Sequence, residues 1–189
     1  MIHLIGPGGA GKSTVAPHVA ALLGRPALDL DRAFEAAHGN IDRFIEANGY
    51  SAYAAANVQT YVGVRPESFG VVAVSSGFMV YSAAVHPAIA RLQRTIAEAP
   101  TTVLLLPSLD GEACVLEIVR RQATRPLARR RSPAREEAVI RERFVQYRLL
   151  PCPVVTTMQS PEAVAREVLA HTAASTGGLA SSPVLSNER

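Results

Sequence analysis

The 189-residue sequence has one lysine, no tryptophan, two cysteines and only 5% aromatic residues. Each scarcity removes a class of protein. Cys114 and Cys152 lie far apart without metal-type spacing. They read as buried thiols in a reducing cytoplasm rather than as a disulfide or a thiolate metal site. His3, His18, His38, His86 and His171 show no ligand spacing either, which argues against protein-bound zinc. No apolar run approaches the roughly 20 residues that span a bilayer. The N-terminus carries no basic region ahead of its first apolar run, so no signal peptide is expected. A net charge of +3 is modest for a general nucleic-acid surface. The expected chain is therefore a cytoplasmic monomer without nucleic-acid or membrane partners.

The single lysine is the most informative residue present. Lys12 stands in Gly6-Pro7-Gly8-Gly9-Ala10-Gly11-Lys12-Ser13, a complete G-x-x-x-x-G-K-[ST] loop, and every other basic residue among the 19 is arginine. A compact ammonium suits contact with β- and γ-phosphates, where a forked guanidinium fits badly. The apolar run Ile2-His3-Leu4-Ile5 predicts a buried strand before the loop, and Ser13 to Leu23 predicts a helix after it. That order converges backbone N–H groups and a helix N-terminus on an anion. Pro17 is expected within about the first turn of that helix, where its missing N–H is tolerated. Gly8, Gly9, Ala10, Gly11, Lys12, Ser13 and Thr14 are the candidate nucleotide contacts. Ser13 is also a candidate Mg²⁺ ligand.

Short apolar runs at Ala27-Leu28, Val71 to Val74, Thr102 to Leu106 and Pro153 to Val155 alternate with helix-length segments. Near-continuous apolar strands in that alternation predict an α/β fold, a parallel sheet with helices on both faces. Helices are expected at 31–37, 41–47, 51–62, 87–98, 112–122, 135–149 and 161–171, the last with Ser160 as N-cap and Pro161 at its first position. One domain is expected over residues 1–172. The Ala/Ser/Thr/Gly-rich residues 173–189 are read as a disordered tail. Ten arginines crowd between Arg120 and Arg148, which predicts a local field attractive to anions.

A phosphate loop alone does not choose among GTPases, ATPases and small-molecule kinases. Guanine recognition through Asn-Lys-x-Asp needs a second lysine, and there is none. The pair Asp29-x-Asp31 follows the second strand and can aim both carboxylates at the crevice beyond the strand ends. Asp29 is expected to hold the Mg²⁺ water shell, and Asp31 to orient an acceptor hydroxyl. The competing reading makes Asp31 only the cap of the next helix. Asp110 is a weaker Walker-B-type candidate, several residues beyond its strand.

The loop, the Asp29-x-Asp31 pair and the run from Phe34-Glu35 through Gly39 to Ile41 and Phe44 resemble the shikimate kinase family. So do Arg125-Pro126-Leu127, the pair Arg143 and Tyr147 four residues apart, and Ser160-Pro161. The resemblance spans about Ile2 to Leu169. It implies a nucleoside-monophosphate-kinase-like fold with sheet order 2-3-1-4-5 and a mobile lid at about 123–135. It also implies ATP and Mg²⁺ as cofactors and a small anionic hydroxylated acceptor, with shikimate first. Arg125 would neutralise the transferring phosphoryl group, Arg121 or Arg120 and Pro161 would contact adenine, and Arg143 would bind the acceptor's acidic group. Ser75, Ser76 and Gly77 stand where the family carries three glycines against the acceptor ring. Tyr53-Ala54-Ala55-Ala56-Asn57 replaces a Phe-Arg-x-x-Glu element, so one carboxylate-binding arginine is missing. Arg65 is a possible replacement. These departures keep open a kinase for a gluconate-like acid or polyol, and a non-catalytic ligand sensor.

The loop reading carries a direct test. Lys12→Ala should abolish turnover while leaving the fold intact. A variant with wild-type rate removes Lys12 from its assigned role.

Overall fold

A computed structural model describes residues 1–123 and 133–177. Five strands, β1 (Ile2–Ile5), β2 (Ala27–Asp29), β3 (Val71–Ala73), β4 (Thr102–Leu106) and β5 (Val154–Thr156), form one sheet in the order β2-β3-β1-β4-β5. Every adjacent pair is parallel. The expected order and parallel character are therefore present. Eight α-helices are described: α1 (Lys12–Leu23), α2 (Leu30–His38), α3 (Ile41–Asn48), α4 (Tyr50–Gly63), α5 (Ile89–Glu98), α6 (Gly111–Ala123), α7 (Pro133–Arg148) and α8 (Pro161–Gly177).

The strands are buried on both faces because alternate residues enter two different cores. Leu4, Ala73, Val103 and Leu105 pack with Val15, Val19, Val164 and Val168 of α1 and α8. Ile5, Val72, Leu104 and Leu106 pack with Phe34, Val58, Ile96, Ile118 and Tyr147 from α2 and α4 to α7. The period of two in a strand sends successive side chains to opposite faces, and apolar residues at both phases need cover on both sides. The few aromatic residues are concentrated rather than scattered. Phe34 meets Phe44 and Tyr53 edge-on, and Tyr53 and Tyr50 meet Tyr81, all at one end of the second core.

Several local expectations need correction. Helix α1 begins at Lys12, so Pro17 lies in its second turn and denies the exposed Ser13 carbonyl its intrahelical donor. Three short 3₁₀ turns, Pro66–Ser68, Phe78–Val80 and Ala83–Val85, were not foreseen. Helix α8 continues to Gly177, five residues into the segment read as a tail, because Ala173 and Ala174 are strong helix formers. The rest of that tail and most of the expected lid, including Arg125 and Arg129 to Arg131, lie outside the described residues. The Ser160 hydroxyl accepts from Ala163 N at 3.3 Å, as its N-cap assignment requires. Both cysteines are free; Cys114 is buried but Cys152 only half-buried.

Within the second core, His3 of β1 is 5% exposed and its Nε2 lies 2.8 Å from the Tyr61 hydroxyl. Its Nδ1 has no hydrogen-bond partner among the described residues. Burial, helped by the charge at the chain's N-terminus, lowers its pKa from 6.5 to about 4. An unfolded chain protonates this histidine near pH 6.5, but the folded chain resists until about 4. Stability should therefore be unaffected above pH 6.5 and fall as pH drops through that window. The loss attributable to His3 is roughly 2 kcal/mol by pH 5. Urea unfolding of wild type and His3→Gln at pH 7 and pH 5 measures it: the variant should lose less stability between the two. Equal losses would show that folding does not depress the His3 pKa.

Candidate active site

Parallel pairing brings the C-terminal ends of β1, β2 and β3 side by side, and three functional segments leave from them. The phosphate-type loop follows β1, Asp29-Leu30-Asp31 follows β2, and Ser75-Ser76-Gly77 follows β3. They enclose a cavity of about 260 Å³ whose lining includes Gly8, Gly9, Gly11, Lys12, Ser13, Asp29, Asp31, Ser76, Gly77 and Arg143. Most of the residues selected from sequence therefore share one space.

Gly11 caps α1 with φ 100°, a conformation that an L side chain strains to adopt. It turns the chain so that α1 begins at Lys12, with the first amides of that helix at the cavity. Lys12 is only 8% exposed, and its Nζ donates to the carbonyls of Gly6 at 2.6 Å and Pro7 at 3.0 Å. Its partners include its own loop, which keeps the ammonium at the cavity wall. Ala10 differs from its assignment. Its side chain is fully buried in the first core and its N–H bonds Pro7 O at 3.3 Å, so it shapes the loop from beneath.

The acidic pair divides differently from the capping alternative. Asp29, not Asp31, caps α2, its Oδ1 accepting from Asp31 N at 3.0 Å and Arg32 N at 3.2 Å. Asp31 is left free for the cavity, where it accepts from the Ser75 hydroxyl at 2.5 Å. Burial raises the Asp31 pKa, against the opposing pull of the Ser75 hydrogen bond and the Lys12 charge. Ser13 and Asp29 supply hard oxygen donors on one wall. No group of three His, Cys, Asp or Glu among the described residues forms a protein-only metal cage. A divalent cation held here would share its ligands with phosphate oxygens and water, the habit of Mg²⁺. Asp110 is exposed and caps α6 through Ala113 N at 2.8 Å, which leaves it a structural carboxylate.

At the far wall Arg143 of α7 donates to Ser76 Oγ at 3.1 Å and to the Tyr50 hydroxyl at 3.0 Å. It is the only arginine lining this cavity among the described residues. Tyr50 fits because Gly77 has no side chain; a Cβ there would stand 2.5 Å from the Tyr50 hydroxyl and from the Tyr81 ring. Ala54 is fully buried and does not line this cavity. It faces an adjoining cavity of about 420 Å³ behind Tyr50 and Arg143. An arginine placed at 54 would enter that side space first. Ser75 is likewise absent from the lining, at 1% exposure, so it cannot offer the acceptor a hydrogen bond as expected. Arg65 is exposed on a turn with φ 51° and lines neither cavity, so it does not replace the missing guanidinium.

A third cavity, about 370 Å³, opens behind the loop between α6 and the start of α8. Gly9, Gly11, Thr14, Arg120, Arg121, Thr157 and Pro161 are among its lining residues. Arg121 rather than Arg120 is built into it. Arg121 donates to Gly9 O at 3.2 Å, Thr157 Oγ1 at 3.0 Å, Thr157 O at 2.7 Å and Glu117 Oε1 at 2.7 Å. Arg120 is 69% exposed and pairs with Glu117. Together Arg120 and Arg121 hold the Glu117 carboxyl down to about 2. Part of the expected anion field is thus neutralised from α6 and from within α7, since Arg141 also pairs with Glu112 and Glu137. Sequence reasoning missed Tyr50, Ile41, Ile45 and Gln122 in the central lining. The i, i+4 spacing of Ile41 and Ile45 marked an apolar helix face, but nothing in it said which face meets the cavity.

Comparisons with known proteins agree with the fold. The family model described as shikimate kinase matches residues 8–173. A 52-residue stretch is 42% identical to the pentafunctional AROM polypeptide of Clavispora lusitaniae, of whose length the chain spans 3%. Among solved structures, shikimate kinase from Acinetobacter baumannii in complex with shikimate has a TM-score of 0.68 at 24% identity, covering 89% of each chain. Shikimate kinase from Aquifex aeolicus has a TM-score of 0.69 at 20% identity, covering 94% of this chain and 98% of its own. A gluconokinase from Sinorhizobium meliloti has a TM-score of 0.58 at 19% identity, covering 94% of both. At these identities the solved structures show the fold.

The Arg121 brace generates a prediction. Arg121→Ala should weaken nucleotide binding about 10-fold, the scale of a lost hydrogen bond to a charged group. Arg121→Lys should not restore it, because an ammonium cannot span Gly9, Thr157 and Glu117 at once. Calorimetric titration with ATP checks both, and full recovery by lysine would reduce Arg121 to a simple positive charge.

Proposed function

Since the chain belongs to the shikimate kinase family, we propose that it transfers the γ-phosphoryl group of ATP to a hydroxyl of a small hydroxy acid, with shikimate the first candidate. One observation carries the reading. A single cavity is lined by the phosphate-type loop with Lys12, by Arg143 and by the half-buried Asp31 carboxylate.

Bound Mg²⁺–ATP would supply the electrophilic phosphoryl group and the divalent charge that screens it. The protein's own contribution is positioning and charge stabilisation, which this class of reaction chiefly demands. The loop amides and Lys12 would hold the phosphates, and Lys12 would balance charge that develops between leaving and attacking oxygens. Ser13 and Asp29 would hold the cation and its water. Asp31 would accept the hydrogen of the attacking hydroxyl and so orient that oxygen. Arg143, steadied by Tyr50 and Ser76, would bind the acceptor's acidic group. Arg121 and Pro161 would flank the base in the cavity behind the loop.

Because Arg143 stands alone at the acceptor wall among the described residues, the acceptor should be anionic but weakly gripped. ATP-consumption assays across shikimate, quinate, gluconate and a neutral polyol test this. Arg143→Ala should raise the KM of the preferred acid by about 10- to 100-fold, with the KM for ATP little changed. A neutral polyol used best, or an Arg143→Ala variant with wild-type kinetics, would remove the anionic acceptor. ATP binding without turnover on any of these acids would favour a ligand sensor.

A further inference from the structure

Four side chains from separate parts of the chain form a polar line that ends on Asp31. The Tyr81 hydroxyl donates to Asn57 Oδ1 at 3.3 Å, the Asn57 amide nitrogen donates to Ser75 Oγ at 3.0 Å, and the Ser75 hydroxyl donates to Asp31 Oδ1 at 2.5 Å. Tyr81, Asn57 and Ser75 are exposed by only 6%, 0% and 1%. Water is therefore not at hand to replace a missing partner, and each group depends on its neighbour.

The line has a direction. A serine hydroxyl has one proton, two lone pairs and free rotation, so an isolated Ser75 could donate elsewhere. The Asn57 N–H occupies a lone pair of Ser75 and leaves its proton for Asp31. Turned end for end, the Asn57 amide would present oxygen instead and draw that proton away. The Asp31 carboxylate opposes the turn: ionised, it can only accept, so the Ser75 proton goes to it, the Asn57 N–H goes to Ser75, and Oδ1 is left to accept from Tyr81. Burial pushes the Tyr81 pKa well up, so this phenol remains a donor.

We propose that Tyr81, Asn57 and Ser75 are positioning residues for phosphoryl transfer, fixing one oxygen of the Asp31 carboxylate so that the other meets the acceptor hydroxyl. The inference rests on the kinase reading above and adds three residues that do not line the reacting cavity. It gives the serine at position 75 a task that a glycine could not perform. Asp31 alone touches the acceptor; the other three act through it.

Steady-state kinetics of the full chain test the device, with ATP and whichever of shikimate, quinate or gluconate is used best. Ser75→Ala should lower kcat about 10- to 100-fold, the usual cost of a misplaced reacting group, while the KM for ATP stays within about twofold. Ser75→Thr, which keeps the hydroxyl, should recover most of the loss. Asn57→Leu removes the N–H that holds Ser75 without adding a charge, so it should match Ser75→Ala, and the double variant should be no slower than either. Tyr81→Phe should fold normally and lose kcat a few-fold. Wild-type kcat in Ser75→Ala, or losses that multiply in the double variant, would overturn the proposal. If Asn57→Leu does not fold, the alanine, threonine and phenylalanine variants decide alone. A wild-type chain that phosphorylates none of these acids retires the kinase reading. The crystal structure of Ser75→Ala then decides the positioning role: a reoriented Asp31 carboxylate supports it, and an unchanged one overturns it.

Discussion

The functional architecture depends on the parallel pairing of β3 with both β1 and β2. The register aligns Leu4 with Ala73 and Asp29 with Ala73, so three strands end at one level. Whatever follows those strands must emerge on the same edge. The phosphate-type loop, the acidic pair and the serine–glycine segment are far apart in sequence, yet the hydrogen-bond ladder makes them walls of one cavity. Such a crevice beyond the carboxyl ends of the strands is where open α/β sheets place ligands. Burial on both faces locks this register, because a slip by one residue would exchange the two cores.

Charge in the cavity is arranged by backbone as much as by side chains. Asp29, Asp31, Asp42 and Glu136 line it together with Lys12 and Arg143. Asp29 is steadied by two backbone amides at the start of α2, and Asp31 by one buried hydroxyl. A carboxylate half-removed from water keeps its reach when fixed donors replace the lost hydration. Without such donors, burial would drive it toward the neutral acid.

The aromatic residues gather at the Arg143 end of the cavity. Tyr50, Tyr53 and Tyr81 form a cluster beside Phe34, Phe44 and Phe78, and they shape the wall behind Arg143. Tyr50 extends a hydroxyl to Arg143, and Tyr81 extends one to Asn57. Tyrosine suits this boundary because it buries a large ring while its hydroxyl finds a polar partner. Here the chain departs most from the family pattern, at Tyr53 to Asn57 and at Ser75 and Ser76.

The sequence by itself determined the loop, the strands and their helical alternation. Each depends on local spacing: the glycines before Lys12, apolar runs of strand length, and Ser160 before Pro161. The resemblance to a family then supplied the strand order, which the fold reproduces. Only tertiary structure decided the rest. Whether Asp29 or Asp31 caps α2 depends on where the helix begins, and it begins at Leu30, directly after β2. Whether Arg120 or Arg121 faces the loop depends on how α6 is rotated against Thr157. Ser75 looked like an acceptor contact from its place after β3, but its side chain points inward, because Asn57 from α4 and Asp31 from α2 meet it there. Those contacts span 18 and 44 positions. Local pattern cannot encode pairings of that separation, which exist only once the helices pack over the sheet.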